Sequence, residues 1–262
     1  LQQINIASWK KSPSVKALDG YIEVYGDRGL FSFTDSDGFD VYFPSVYKDY
    51  LRIDEATGSI NVSWQAEDKR LTVRSDVIRT KLDAGNASIM FSTQQNIPSE
   101  GSPPDISLLI GGRNLDAQHR NKYLPYTMPK KLNTWLRESI LDVDVEEFGL
   151  LIRNGPPKLD RRSQTTQLMI KSNQGDIDYF PGWTGVRDAS SLLFVDDAYA
   201  EVMLESAMIG GATLSDAKVI YTKDSADSQP YIYVDAQAAG ELSEVVNILA
   251  QSPLKGKVAG IS

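Results

Sequence analysis

Residues 68–85, DKRLTVRSDVIRTKLDAG, alternate apolar and polar side chains twice over. Leu71 and Val73 are interleaved with Arg70, Thr72 and Arg74. After Ser75-Asp76 the pattern resumes, with Ile78, Thr80 and Leu82 set against Arg79 and Lys81. A period of two is the mark of a strand with one buried face. The stretch therefore predicts a hairpin that turns at Ser75-Asp76, with Leu71, Val73 and Leu82 in a core and the cations facing solvent.

Outward from this hairpin the chain is rich in strand signals. Residues 20–43, GYIEVYGDRGLFSFTDSDGFDVYF, read as three short strands separated by turns at Gly26-Asp27 and Asp35-Ser36-Asp37-Gly38. Pro44-Ser45 is expected to open a short helix over VYKDYLRI, with Val46, Tyr47, Tyr50 and Leu51 on one face and Lys48 and Arg52 at i,i+4 on another. GSINVSWQ and ISLLI read as strands, and between the hairpin and ISLLI lies TQQNIPSEGSPPD, of loop or linker composition. In the second half, TMPKKLNTWLRESIL predicts a helix with Thr127 as N-cap and Leu132, Trp135, Leu136 and Ile140 at helical spacing. FGLLIRN, TTQLMIKS, AKVIYTK and PYIYVDA predict strands. Helices are expected over DDAYAEVMLESAM, capped by Asp196, and over GELSEVVNIL. GFDVYFP at 38–44 echoes GDIDYFP at 175–181, which suggests two related domains: residues 1–122, with a linker at about 93–122, and residues 123–262.

Composition narrows the function. The chain has 262 residues, 41% of them apolar, enough for a real core. Its net charge of −8 argues against coating nucleic acid with the whole surface, but permits cations gathered on one face. The absence of cysteine excludes disulfides, thiolate metal sites and cysteine nucleophiles, and fits a reducing compartment. No run approaches the roughly 18 apolar residues of a membrane helix. LQQINIASWKKS lacks the apolar centre of a signal peptide, so a soluble cytoplasmic protein is expected.

The order IEVYGDRGLFSFTDSDGFDVYFP, short helix, GSINVSWQAEDKRLTVRSDVIRTKLDA resembles one domain of a DNA polymerase sliding clamp. The resemblance rests on Gly29-Leu30 through Thr34-Asp35, on Val41 to Pro44, and on Leu71, Val73 and Ser75. TMPKKLNTWLRESIL resembles a domain-opening clamp helix, and KVIYTKDSADSQPYIYV, with Pro230, a closing strand pair. The resemblance implies an α+β, DNA-clamp-like fold with two similar domains, each with antiparallel sheets outside and helices on one side. It implies a homotrimeric ring of the phage or viral kind around duplex DNA, with a DNA polymerase and a clamp loader as partners, no cofactor and no catalytic site. The DNA-facing residues would be Lys10, Lys11, Lys16, Lys48, Arg52, Lys130, Lys131 and Arg137, and the hairpin cations would pair with a neighbouring subunit. Partner peptides would bind around Ile97, Pro98, Ile106, Leu108, Pro253 and Leu254. Glu201 and Glu205, outward on an expected helix, do not fit a DNA-facing wall.

Other chemistry finds little support. DSDGFD at 35–40 departs from a calcium loop, which needs Gly at position 6 and Glu at 12 where this chain has Gly38 at 4 and Val46 at 12, so a polar turn is expected. His119 is the only histidine, too few for a zinc site without cysteine. GGRN at 111–114 lacks the lysine of a phosphate loop. Two alternatives to the clamp are a β-rich virion or tail structural protein that binds no DNA and, third, a carbohydrate-active enzyme, for which no particular carboxylate pair stands out.

Overall fold

The computed structural model describes residues 1–8, 12–98, 104–155, 163–223 and 228–251. The chain opens with β1 (Ile4–Ile6), β2 (Ser14–Leu18), β3 (Tyr21–Tyr25), β4 (Arg28–Asp35), β5 (Phe39–Tyr42) and β6 (Leu51–Ile53). The longer β7 (Glu55–Gln65) and the short β8 (Arg70–Ser75) and β9 (Ile78–Leu82) follow, then β10 (Gly85–Asn96) and β11 (Asp105–Asp116). After α1 (Arg120–Tyr123) and α2 (Lys130–Glu138) come β12 (Ile140–Asn154), β13 (Gln164–Ile177), β14 (Val186–Asp196), β15 (Tyr199–Ile209), β16 (Ala212–Thr222), β17 (Tyr231–Ala239) and α3 (Leu242–Gln251). The protein is mostly β, built on one large antiparallel sheet, and not an α+β clamp with helices along one side. The sheet has the order β17-β16-β15-β14-β13-β12-β11-β10-β8-β7-β4-β3, and β1-β2-β5-β6 make a separate small sheet.

Two compact units divide the chain: residues 1–115, 122–127 and 148–167, and residues 116–121, 128–147 and 168–262. The two stretches whose sequences echo each other occupy different elements, β5 in the first case and the end of β13 in the second.

In the first unit, 68–85 is not a hairpin. β8 and β9 do not pair with each other. Both lie between β7 and β10, as one strand interrupted at Asp76-Val77. The interruption is held by the Asp76 amide donating to the Ser59 carbonyl at 3.0 Å, by the Ser59 hydroxyl on the Asp76 carboxylate, and by the Phe91 amide donating to Ser75 Oγ at 2.8 Å. Its effect is on phase. Leu71, Val73 and Ser75 share one face, and from Ser75 to Ile78 is an odd step. The three steps from Ser75 to Ile78 span only two on β7 and two on β10, and this one extra residue lets Ile78, Thr80 and Leu82 return to that face.

The core lies where the small sheet covers that face. Leu18, Phe39 and Ile53 from the small sheet pack with Phe33, Ala56 and Ile78 from the large one. The turn 35–38 brings the two together: the Asp35 carboxylate, 6% exposed, accepts the amides of Asp19, Asp37 and Gly38 at 3.0, 3.2 and 2.7 Å. Gly38 has φ +78, and a β-carbon there would lie 2.8 Å from the Ile53 backbone carbonyl oxygen, which favours glycine. The carboxylate suggestive of calcium is thus satisfied by backbone donors.

Two expected helices are absent. Residues 44–50 form a turn, in which the Val46 and Tyr47 amides both donate to the Phe43 carbonyl at 2.9 Å, and Leu51 and Ile53 continue into β6. Both are buried and Arg52 is exposed, so period-two burial overrides the i,i+4 spacing. Residues 196–208 belong to the β14–β15 hairpin, with Asp197 at its tip (φ +53). Ala, Glu, Met and Leu are good helix formers, but pairing on both sides of β15 decides the outcome. The helix expected after Thr127 does form, as α2, with Pro129 rather than Thr127 at its N-cap and no side-chain cap bond.

Truncating Phe33 at the centre of this core is expected to destabilise the protein by about 3–5 kcal/mol in urea unfolding, whereas Val24→Ala on the exposed edge strand should change stability by less than about 0.5 kcal/mol.

Candidate functional site

Residues directly opposite each other in an antiparallel ladder project from the same face, so the pairing registers assign every side chain to a side. In the first unit, one row reads Val24, Gly29, Val62, Val73, Thr93, Ile106 across six strands. Its neighbour reads Ile22, Phe31, Ile60, Ser75, and another reads Ile78, Ile89, Ile110. The opposite face carries Glu23, Leu30, Asn61, Arg74, Ser92, Ser107 and Thr34, Thr57, Arg79, Ser88, Gly111. The first side carries no charge in these rows, and the second carries the charged groups together with Tyr21, Tyr25, Leu30, Met90 and Leu109.

The small sheet covers only part of the apolar side. Phe33, Ala56 and Ile78 are buried beneath it, and Phe31, Ile60, Ile89 and Phe91 are half-buried at its margin. Further along, Val62 and Ile106 are 37% exposed and Val24 71%.

The second unit repeats the division. Leu193, Val202, Val219 and Val234 form one row across β14 to β17, and Val195, Ala200, Tyr221 and Ile232 the next. The opposite face alternates apolar and charged groups: Phe194, Glu201, Ile220, Tyr233 and Leu192, Met203, Lys218, Asp235. There Lys218 Nζ lies 2.6 Å from Glu201 Oε1, and the Tyr199 hydroxyl donates to Glu201 Oε2 at 2.5 Å. The Lys218 ammonium, and after it the Tyr199 hydroxyl, hold the Glu201 carboxyl below its ordinary range, while the same contact with Glu201 raises Lys218.

The residues expected to face DNA do not form a helical wall. Lys10 and Lys11 lie outside the described residues. In the first unit, Lys16 is on strand β2, its ammonium 4.0 Å from the centre of the Tyr50 ring. Lys48 is in the turn, and Arg52, on β6, donates to the Asp37 carbonyl at 2.7 Å. In the second unit, Lys130, Lys131 and Arg137 are exposed on α2, where Arg137 donates to Asn133 Oδ1 at 2.7 Å. The cations of 68–85 pair at home, Arg70 with Asp68 at 3.2 Å and Lys81 with Glu55 at 2.8 Å. Of the expected partner-binding residues, Ile106 and Leu108 lie on the apolar face of the first unit, Ile97 is exposed beyond β10 beside Pro98, and Pro253 and Leu254 fall outside the described residues. His119 Nε2 stands 3.7 Å from Asp116 Oδ2 at a short 3-10 turn.

Most of the apolar rows of the second unit escaped sequence reading, because 196–208 reads as helical. A signal was present: Ala200, Val202 and Leu204 alternate with Glu201, Met203 and Glu205 at period two.

Residues 1–261 match the family described as YhdP protein. No curated protein and no solved structure matches the chain. The family match overturns the resemblance to a sliding clamp, and with it the DNA ring, the replication role and the phage origin that the resemblance implied. Nor does it specifically favour the virion or tail alternative.

A carboxyl with a lowered pKa contributes stability above its ordinary value and loses it as pH falls through the lowered one. The Glu201 contribution should therefore be complete above pH 4.5 and fade below it. In thermal melts at stepped pH, Glu201→Gln is expected to lose less stability on acidification below that point than the parent chain.

Proposed function

Because the chain belongs to the YhdP protein family, which is bacterial and membrane-associated, we propose that it is a non-catalytic module that holds the acyl chains of lipids against the apolar faces of its sheet. The observation that carries this reading is the sorting of side chains. In the second unit, the rows from Leu193 to Val234 and from Val195 to Ile232 contain no charged group and only one titratable side chain, Tyr221. Ile232, Val234 and Tyr221 remain 65%, 60% and 44% exposed there.

Leaving such a surface in water is costly, at about 25 cal/mol for each Å² that a ligand would cover. An extended alkyl chain suits it, since a strand face offers parallel apolar ridges, with the Tyr221 hydroxyl the one side-chain hydrogen-bonding group in these two rows. The polar rows on the other side keep the module wettable. No helix among the described residues is long and apolar enough to cross a membrane. On this reading the lipid comes to the sheet, with no helix of the described chain entering the bilayer.

The test is binding of a phospholipid with a fluorescent acyl chain. Val202→Asp and Val219→Asp, each placing a charge in the middle of a row, are expected to weaken binding about tenfold or more, or about 1.4 kcal/mol, with the β circular dichroism spectrum retained. Arg79→Glu on the polar face of the first unit should leave binding unchanged. Equal loss from both kinds of variant would defeat the proposal.

A further inference from the structure

The edge strand β17 carries a feature that acyl binding does not use. It is the last strand in the order of the large sheet, laddered to β16 on one side and, among the described residues, to no strand on the other. All nine of its residues are exposed, and Ile232, Tyr233 and Val234 keep 65%, 52% and 60% of their surface. Edge strands are usually protected by lysine, proline, a bulge or a covering element, because their outward N–H and C=O groups invite pairing. Between Tyr231 and Ala239 there is no lysine, arginine or proline, and Asp235 is the single charge. An acyl chain has no donors or acceptors for outward backbone groups. Another strand has both, at the right spacing.

We infer that β17 is a strand-addition edge filled by a second copy of the chain, paired antiparallel about a twofold axis at Tyr233. The sequence is self-complementary in that register. Ile232 comes opposite the partner's Val234, so apolar rows meet on one face, and Tyr233 comes opposite the partner's Tyr233 on the other. Asp235 stands two residues from the axis, clear of its own copy, so no like charges face each other. The row of Leu193, Val202, Val219 and Val234 then runs on into the second copy without a break. A twofold contact consumes both β17 edges and stops at two chains.

Sedimentation of the full chain decides it. The parent should shift with concentration toward about 58 kDa, twice the 29.0 kDa chain, reaching it by about 100 µM. The double variant Ile232→Lys, Val234→Lys should stay at 29.0 kDa, and Val234→Lys alone should shift at higher concentration than the parent. Both positions are exposed, so circular dichroism should confirm an unchanged fold. In hydrogen exchange, the amides between Tyr231 and Asp235 that point away from β16 should be slower in the parent than in the double variant at the same high concentration. A parent that remains monomeric at about 100 µM, or an assembly of any size that the lysines leave intact, overturns the inference. Tyr233→Lys, on the face away from the acyl rows, should also abolish the dimer, and doing so with acyl-probe binding retained would separate this edge from the lipid reading.

Discussion

The phase of side-chain alternation governs this protein. Each strand must pair its backbone on both sides if it is internal to the sheet, and each pairing forces opposite residues to the same face. An apolar face six strands wide, such as the one from Val24 to Ile106, exists only because every strand holds the same phase. The weak point is 68–85, where one strand is built in two short pieces. The break at Asp76-Val77, held by Ser59 and Ser75, keeps Leu71, Val73, Ile78 and Leu82 on one side and Arg70, Arg74, Arg79 and Lys81 on the other. A slip of one residue there would put arginine among Phe31, Ile60 and Ile89.

That arrangement explains why an acidic protein concentrates arginines in one stretch. Arg74 and Arg79 stand in rows of serine, threonine and asparagine, and Lys81 is paired with Glu55. They mark the outer side of an amphipathic sheet. The same alternation carried the resemblance to a clamp, since an apolar-x-apolar-x-Ser strand is shared by many β proteins. Local spacing does not reveal whether a strand pairs with its sequence neighbour or with strands further along the chain.

The small sheet and the turn at Asp35 show how the core is confined. Burial concentrates where Leu18, Phe39 and Ile53 meet Phe33, Ala56 and Ile78, and exposure rises along the same face away from them. The helices α2 and α3 of the second unit are nine and ten residues long. The exposed apolar rows are the ground for the acyl-binding proposal.

Much was legible in the chain itself. The strands at 20–43, ISLLI, FGLLIRN, TTQLMIKS, AKVIYTK and PYIYVDA, the helices at 130–138 and 242–251, and the outward cations of 68–85 follow from alternation and helical spacing, which are local. The helices expected over 46–53 and 196–208 failed because local propensity there, worth a few tenths of a kcal/mol per residue, is outweighed by ladder bonds, from β6 to β5 and from β15 to β14 and β16. Composition and period alone could determine that this chain makes amphipathic strands. Only the tertiary pairing decided that β8 and β9 lie end to end, that β15 is a strand, and that the apolar sides align into open faces, because register is a relation between segments and is written in neither one alone.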